Sequence, residues 1–411
     1  MLLPATRPSG PDSSERLIAP PPRYEWVQRA KGLARRHGSA FVAPFWIIAA
    51  LSATIGPLYR HENNFEIFRA AWWHLIARQD LYAPSSQYFD LLKYTPTFAV
   101  LIAPFALLPF GFGLLCWNLL NAGAIYWAIG RAVSPKQAVV ARVIVLPEMI
   151  GSLQSAQCNA LIAALIIFTY VTIAQQRSLR AATLVMVATF VKIFPLAACS
   201  FALLVRDGRR FAAGCTVVAI ILFILPMGVS SPVWILSQYH DWLAVQYVDA
   251  GDPGFSVMQL VHLALGVHWP AWPQQLVGAL ILVAPLVARR RRSPDERWSV
   301  RYVTSLLMFC VLFNHQSESP SFVIALAGIG LWFAISPRTP SRWILLTVVF
   351  VGTVVVSSSL LPTHFRLELA ALHVKTVPVL LVWLVVQYEL WSDLRRGVGL
   401  AASDERELRV A

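Results

Sequence analysis

The sequence predicts an all-α polytopic membrane protein, a bundle of about ten to twelve transmembrane helices with an amphipathic helix in its first outer loop. Three observations carry that prediction. Of 411 residues, 57% are hydrophobic and 13% charged, where a soluble chain is about a quarter charged. Apolar runs close to the ~20 residues that cross a bilayer recur along the chain. The basic residues, which give a formal net charge of +13, collect in short loops between those runs, as in cytoplasmic loops. With a mean hydropathy of +0.59, soluble single-core, nucleic-acid-binding and disulfide-rich secreted proteins are excluded. The five cysteines all lie within apolar runs and read as small buried hydrophobes.

Residues 1–38 form a basic, Pro-rich cytoplasmic tail, 39–393 the transmembrane domain and 394–411 a cytoplasmic C-terminal tail. No small-residue cleavage site follows the first run, Phe41–Tyr59, so it reads as an uncleaved anchor with a cytoplasmic N-terminus. Residues 60–94 are too polar to span. Within them Phe65, Phe68, Trp72 and Ile76 recur at helical spacing, predicting a helix over 64–77 on the membrane surface. Spans follow at 95–110 and 112–130, then a shorter piece at 137–151 broken by Pro147 and Glu148, then a full span at 156–175. The stretch 181–205 has arginines beyond both ends and Lys192 and Pro195 midway. It reads as two half-helices turning back near Lys192, with one span around a buried lysine as the alternative. Further spans fall at 211–229, 273–289, 302–314, 321–336, 343–361 and 375–392. The loop 230–272 has no Lys or Arg, whereas Arg289–Arg301 carries RRRRSPDER, so acidic and basic loops alternate outside and inside. Only Arg131, Lys136 and Arg142 break that count, which puts them outside.

The polar residues that interrupt the apolar runs gather on the outer face, and such one-sided collections point to a site. Glu62 and Glu66 are one helical turn apart, placed for general-base work from a low-dielectric crevice; the structural alternative pairs Glu66 with Arg69. Lys93 and Tyr94 sit at the outer end of a span, as a snorkelling lysine and belt tyrosine or as a contact to an anionic headgroup. Gln154, Gln157 and Asn159 open a span, satisfying neighbouring helix ends or binding sugar hydroxyls. Lys192 needs an anionic partner in its apolar run, either a phosphate or a carboxylate such as Glu148. In NHQSESPSF, His315 and Glu318 are three apart but lack further metal ligands, so the segment reads as a binder of a polar headgroup. No metal or cofactor is expected.

NNFEIFRAA, QDLY, KYTPTFAVLIAPFALLP, LQSAQCNALI and VKIFP stand in the order they have in glycosyltransferase family 87, of the GT-C superfamily, which this chain resembles over about residues 58–335. NHQSESPSFVIA is similar to a later signature of one bacterial branch. The resemblance implies a GT-C-like bundle that takes a sugar, commonly mannose, from a polyprenyl-phosphate donor. It passes the sugar to a lipid or glycan acceptor on the outer face of the bacterial plasma (inner) membrane. By the same resemblance a carboxylate deprotonates the acceptor hydroxyl and basic groups stabilise the leaving phosphate; Lys192 matches the family's half-helix lysine, and Lys93 is the second candidate for the phosphate. Tyr94, Gln154, Gln157, Asn159, His315 and Glu318, from the reading of the residues above, are the candidate sugar or acceptor contacts. The family's acidic residue before an aromatic is replaced here by Asn64, which cannot act as a base. Glu66, Glu62 or Asp80 must then substitute, Glu66 first.

The leading expectation is a membrane hexosyltransferase. The alternatives are a non-catalytic protein that binds polyprenyl lipids and a transporter of lipid-linked sugars. A transporter would show broken helices in corresponding places of two halves, and the sequence shows one such break, at Lys192.

Overall fold

A computed structural model describes residues 25–410, apart from 60–63, 86–87, 206, 252, 290–294 and 358–360. The described residues form helices and connecting turns, with no strand among them. In chain order the helices are α1 (Glu25–Tyr59), α2 (Asn64–Ala77), α3 (Pro96–Leu101), α4 (Ala103–Ala106), α5 (Phe110–Ala132), α6 (Pro135–Gln154), α7 (Asn159–Ala174) and α8 (Ser178–Val191). A 3-10 helix, Phe194–Leu203, leads to α9 (Gly208–Ile224), α10 (Pro232–Asp249), α11 (Val257–Leu265), α12 (Ala271–Arg289), α13 (Glu296–Leu312) and α14 (Phe322–Ile335). Last come α15 (Pro340–Phe350), which runs into a π-helical turn at Val351–Val355, α16 (Thr363–Ala371) and α17 (Thr376–Val410). Among the described residues five segments are long and apolar enough to cross a membrane: Phe41–Leu58, Phe110–Ala132, Gly208–Gly228, Ala271–Arg289 and Thr376–Arg395. The other apolar helices are shorter.

The shortest of them alter the crossing count. The run expected to span at 95–110 is instead α3 and α4, six and four residues, about 9 Å and 6 Å at 1.5 Å per residue. Pro96 starts the first and Pro104 the second. Both stay beside α2, since Arg69 donates to the carbonyls of Ala106 (3.3 Å) and Leu108 (3.4 Å). Even together they fall short of the ~20 residues that cross a bilayer. With this crossing removed, α5 carries Arg131 away from α2, and α6 returns from Lys136 to Ser155, whose carbonyl accepts from Asn64 Nδ2 at 2.8 Å. Arg131, Lys136 and Arg142 accordingly lie towards the same end as the other basic loops, whereas the count along the sequence puts them at the opposite end.

Lys192 marks a second segment that turns back. The residue is extended (φ −137°, ψ 139°) and ends α8. Gly214 of α9 lies against Leu179 and Ala182 at the start of α8. The far ends of α8 and α9 both reach α3: Thr95 Oγ1 donates to the Phe190 carbonyl, and Thr97 Oγ1 to that of Leu222 (2.8 Å). The two helices thus run parallel, and Phe194–Leu203 runs back between them. Of the two readings of 181–205, the pair of half-helices is the one observed.

α14 is the axis of the packing. All of its residues are buried. Gly328 meets the Thr304 carbonyl of α13 and Gly330 the backbone of Ala141 in α6, so small residues let three helices approach closely. At one end of the bundle Arg301 pairs with Glu389 (3.0 Å) and with Asp393, and Arg342 with Glu389, which ties α13 and α15 to α17. The other end, about 17 Å from Arg301 along α13, holds the loop 313–321, the start of α2 and Lys192. α2 has the expected limits, but its face is turned: Phe65, Ile67, Phe68, Ala71 and Leu75 are buried, Trp72 is half-buried, and Trp73 and Ile76 are exposed.

Candidate active site

A cleft opens at the end of the bundle opposite the arginine cluster. Asn64 and Phe68 from the first turns of α2, Asp90, Lys93 and Tyr94 from the following loop, Gln157, Lys192, Gln316 and Glu318 line it. Side chains nearly fill it, leaving about 20 Å3, room for about one water.

Each group is held by a local reason. Pro96 opens α3 at its first turn, where its missing N–H costs nothing, and the residues before it are kept extended. Tyr94 is thereby packed against Phe98 (ring centroids 4.5 Å apart) and Phe68 (5.0 Å). Its hydroxyl donates to Gln157 Oε1 at 3.0 Å, and Gln157 Nε2 donates to Glu318 Oε2 at 3.0 Å. Burial pushes the Tyr94 phenol well up, so it remains a donor. The other oxygen of Glu318 lies 3.6 Å from Lys93 Nζ, which also meets Asp90 at 3.0 Å and Asp249 at 4.0 Å. Burial acts to lower Lys93, but the three carboxylates outweigh it and hold the ammonium above its ordinary value.

Lys192 is placed differently. Its Nζ donates to Asn159 Oδ1 at 2.9 Å and stands 5.4 Å from the centre of the Tyr94 ring. Among the described residues no carboxylate lies within 4 Å of it. Glu148 is not its partner: that carboxylate pairs with Lys375 at 2.9 Å, because α6 turns it towards α17.

The structure thus brings together Asn64, Lys93, Tyr94, Gln157, Lys192 and Glu318, with Asn159 one bond behind. It does not bring Glu66 to the same surface. Asn64, Ile67 and Phe68 line the cleft, and Glu66 lies on the other side of α2, about 200° from Asn64 at 100° per residue. The alternative partner of Glu66, Arg69, is directed to the carbonyls beyond α4 and to the Phe110 ring. Asp80 is exposed and accepts from the Tyr82 backbone (2.9 Å), a turn contact. Gln154 is exposed at the end of α6, and His315 is turned to Gln275 (3.2 Å). Glu62 lies outside the described residues. Sequence reasoning did not single out Asp90 or Asp249, and took Gln316 only as part of NHQSESPSF. Asp90 stands three before Lys93, a spacing that pairs charges, whereas Asp249 comes from a distant helix and left no local signal.

The model of the family described as glycosyltransferase family 87 matches residues 92–313, more than half of the chain. The chain belongs to glycosyltransferase family 87. Membership makes it a glycosyltransferase, acting on a sugar donor and an acceptor, and a multi-pass arrangement fits its apolar helices. The matched region holds Lys93, Tyr94, Gln157, Asn159, Lys192 and Asp249; α2 precedes it and Glu318 follows it. No curated protein sequence matches the chain at a significant level.

Proposed function

We propose that this family 87 enzyme transfers a hexose, mannose by family resemblance, from a polyprenyl-phosphate donor to a lipid or glycan acceptor at the outer face of the plasma membrane. The observation that carries the reading is Lys192, a cation in the cleft with no carboxylate within 4 Å among the described residues. A leaving phosphate supplies the anion that such a lysine lacks. Lys93, already among three carboxylates, is the second and more compensated cation. The crossing count supports the orientation: the loops with Arg131, Arg177, Arg209, Arg297 and Arg342 share the end opposite the cleft, which is then cytoplasmic.

In this reading the acceptor oxygen attacks the anomeric carbon while the bond from that carbon to the phosphate oxygen breaks. The hydroxyl proton passes to a carboxylate and the lipid phosphate leaves against Lys192. Among the described residues, Glu318 and Asp90 are the carboxylates lining the cleft. Asp90 is bound to Lys93 at 3.0 Å, whereas Glu318 stands farther from it, at 3.6 Å, and is more exposed. Glu318 is therefore the base we assign, in place of Glu66. Tyr94 and Gln157 orient it through their shared hydrogen bonds.

The test is release of polyprenyl phosphate by the purified protein in lipid nanodiscs, given a panel of polyprenyl-phosphate hexoses and membrane-extract acceptors. Acceptor-dependent release from one donor is expected, and Glu318→Gln lowers it by about 10²–10⁴-fold. No release from any donor would overturn the lipid-phosphate reading. Release that survives Glu318→Gln but not Glu66→Gln would return the base to α2.

A further inference from the structure

A second cavity, of about 260 Å3, lies between α16, the residues after the π-helical turn, and Ser319. It is separate from the cleft but shares a wall with it, since Ser319 follows Glu318 in the chain. Part of its lining is apolar, from Phe255, Val356, Leu367 and Leu369. Another part presents donors. Arg366 lines it, with Nη2 donating to Thr363 Oγ1 at 3.3 Å and with a buried Nε that has no hydrogen-bond partner among the described residues. No described carboxylate lies within 4 Å of that guanidinium, and no Asp or Glu is among the described lining residues. Lys375 Nζ donates to Ser319 Oγ at 3.0 Å, which leaves the Ser319 hydroxyl proton to be given to a ligand. The lysine's own charge is met by Glu148.

A guanidinium with no carboxylate partner among the described residues, beside hydroxyl donors, fits a phosphate ester, and the apolar lining fits the chain attached to it. A π-helical turn, frequent at functional sites, delivers Val356 and Ser357 to the cavity. A zwitterionic headgroup would bring an ammonium for which the described lining has no carboxylate. We propose that this cavity binds the phosphate of an anionic membrane lipid, at a site distinct from the cleft of Lys192. The assignment does not depend on which sugar donor the enzyme uses.

Native mass spectrometry of the full chain, released from neutral detergent with dioctanoyl phosphatidic acid, dioctanoylglycerol, dioctanoyl phosphatidylcholine or inorganic phosphate, tests it. Phosphatidic acid is expected to be retained, and Arg366→Gln to weaken its retention at least tenfold, with Lys192→Gln leaving it unchanged. Retention of dioctanoylglycerol or phosphatidylcholine at the level of phosphatidic acid would overturn the phosphate or the anionic-lipid assignment. Displacement by equimolar inorganic phosphate would overturn the lipid assignment in favour of a soluble anion. Retention unaffected by Arg366→Gln, or abolished by Lys192→Gln, would overturn the site. Should Arg366→Gln not fold, Arg366→Lys and Thr363→Val decide: both keep the chain folded in the proposal and each weakens retention, and unchanged retention in both overturns it.

Discussion

Lys375 Nζ and Glu148 Oε2 meet at 2.9 Å, 227 residues apart in the chain, and both side chains are almost fully buried. The pair joins the start of α17 to the middle of α6, and Lys375 also donates to the carbonyl and hydroxyl of Ser319. Breaking one partner leaves a buried charge alone. Glu148→Gln or Lys375→Met should each cost about 3–5 kcal/mol, while the double change Glu148→Leu with Lys375→Met should recover most of it. Thermal unfolding in one detergent compares the three; equal losses for single and double changes would count against the pairing.

Lys192→Gln should lower turnover by about 10²–10³-fold, the loss seen when one preorganised donor to a developing oxyanion is removed. Lys192→Arg, which keeps the charge but not the compact ammonium, should fall between. The reading is the rate of phosphate-lipid release at saturating donor.

Asn64→Asp is expected to reduce stability without raising turnover. Asn64 Nδ2 donates to the Ser155 carbonyl at 2.8 Å, and a carboxylate there would set two acceptors against each other, costing about 1–3 kcal/mol. A melting curve beside a rate measurement checks both parts. Faster release would mean that the position still serves as the base.

Gly254 holds the cleft loop from behind. Its φ is +51°, and a Cβ there would fall 2.4 Å from the Ser317 carbonyl oxygen, which the Phe255 amide also engages at 2.7 Å. Gly254→Ala should therefore cost about 1–3 kcal/mol of backbone strain and displace the loop that carries Glu318. Turnover should fall more than donor binding does, as steady-state rates and direct titration of the donor will show.

Burial holds His315 below its ordinary value, although Asp249 acts in the opposite direction. The unfolded chain then takes up this proton first, and its contribution to stability is lost as pH falls from about 6.5 towards the lower folded value. His315→Gln should flatten the dependence of melting temperature on pH in that window. An unchanged slope would assign it to other groups.

Much of the fold was legible wherever a helix announced its own ends. The limits of α2 followed from its apolar spacing, and Lys192 with Pro195 marked the turn between half-helices. The run after Tyr94 misled, because its apolar length matches a crossing while Pro96 and Pro104 divide it into two short helices. In the site, spacing related Glu66 to its neighbours on one helix but not to the cleft, since the buried face of α2 is set by α3 and α4. Asp249 and Glu318 converge on Lys93 from separate segments, a contact that tertiary structure alone creates. Glu148 was legible as a buried carboxylate in need of a cation, but Lys375, not Lys192, meets it.

The burial of α14 on every side inverts the usual use of hydropathy. The uniformly apolar segment FVIALAGIGLWFAI is one that solvent-like lipid does not reach, while Ile220, Ile221 and Leu280 of α9 and α12 are outward. For α14 the acyl chains are not the environment; other helices are. A carbene-generating probe dissolved in the bilayer should accordingly label α9 and α12 and leave α14 blank. A serine introduced into α14 should behave as a polar defect in a protein core, insensitive to the thickness of the surrounding membrane.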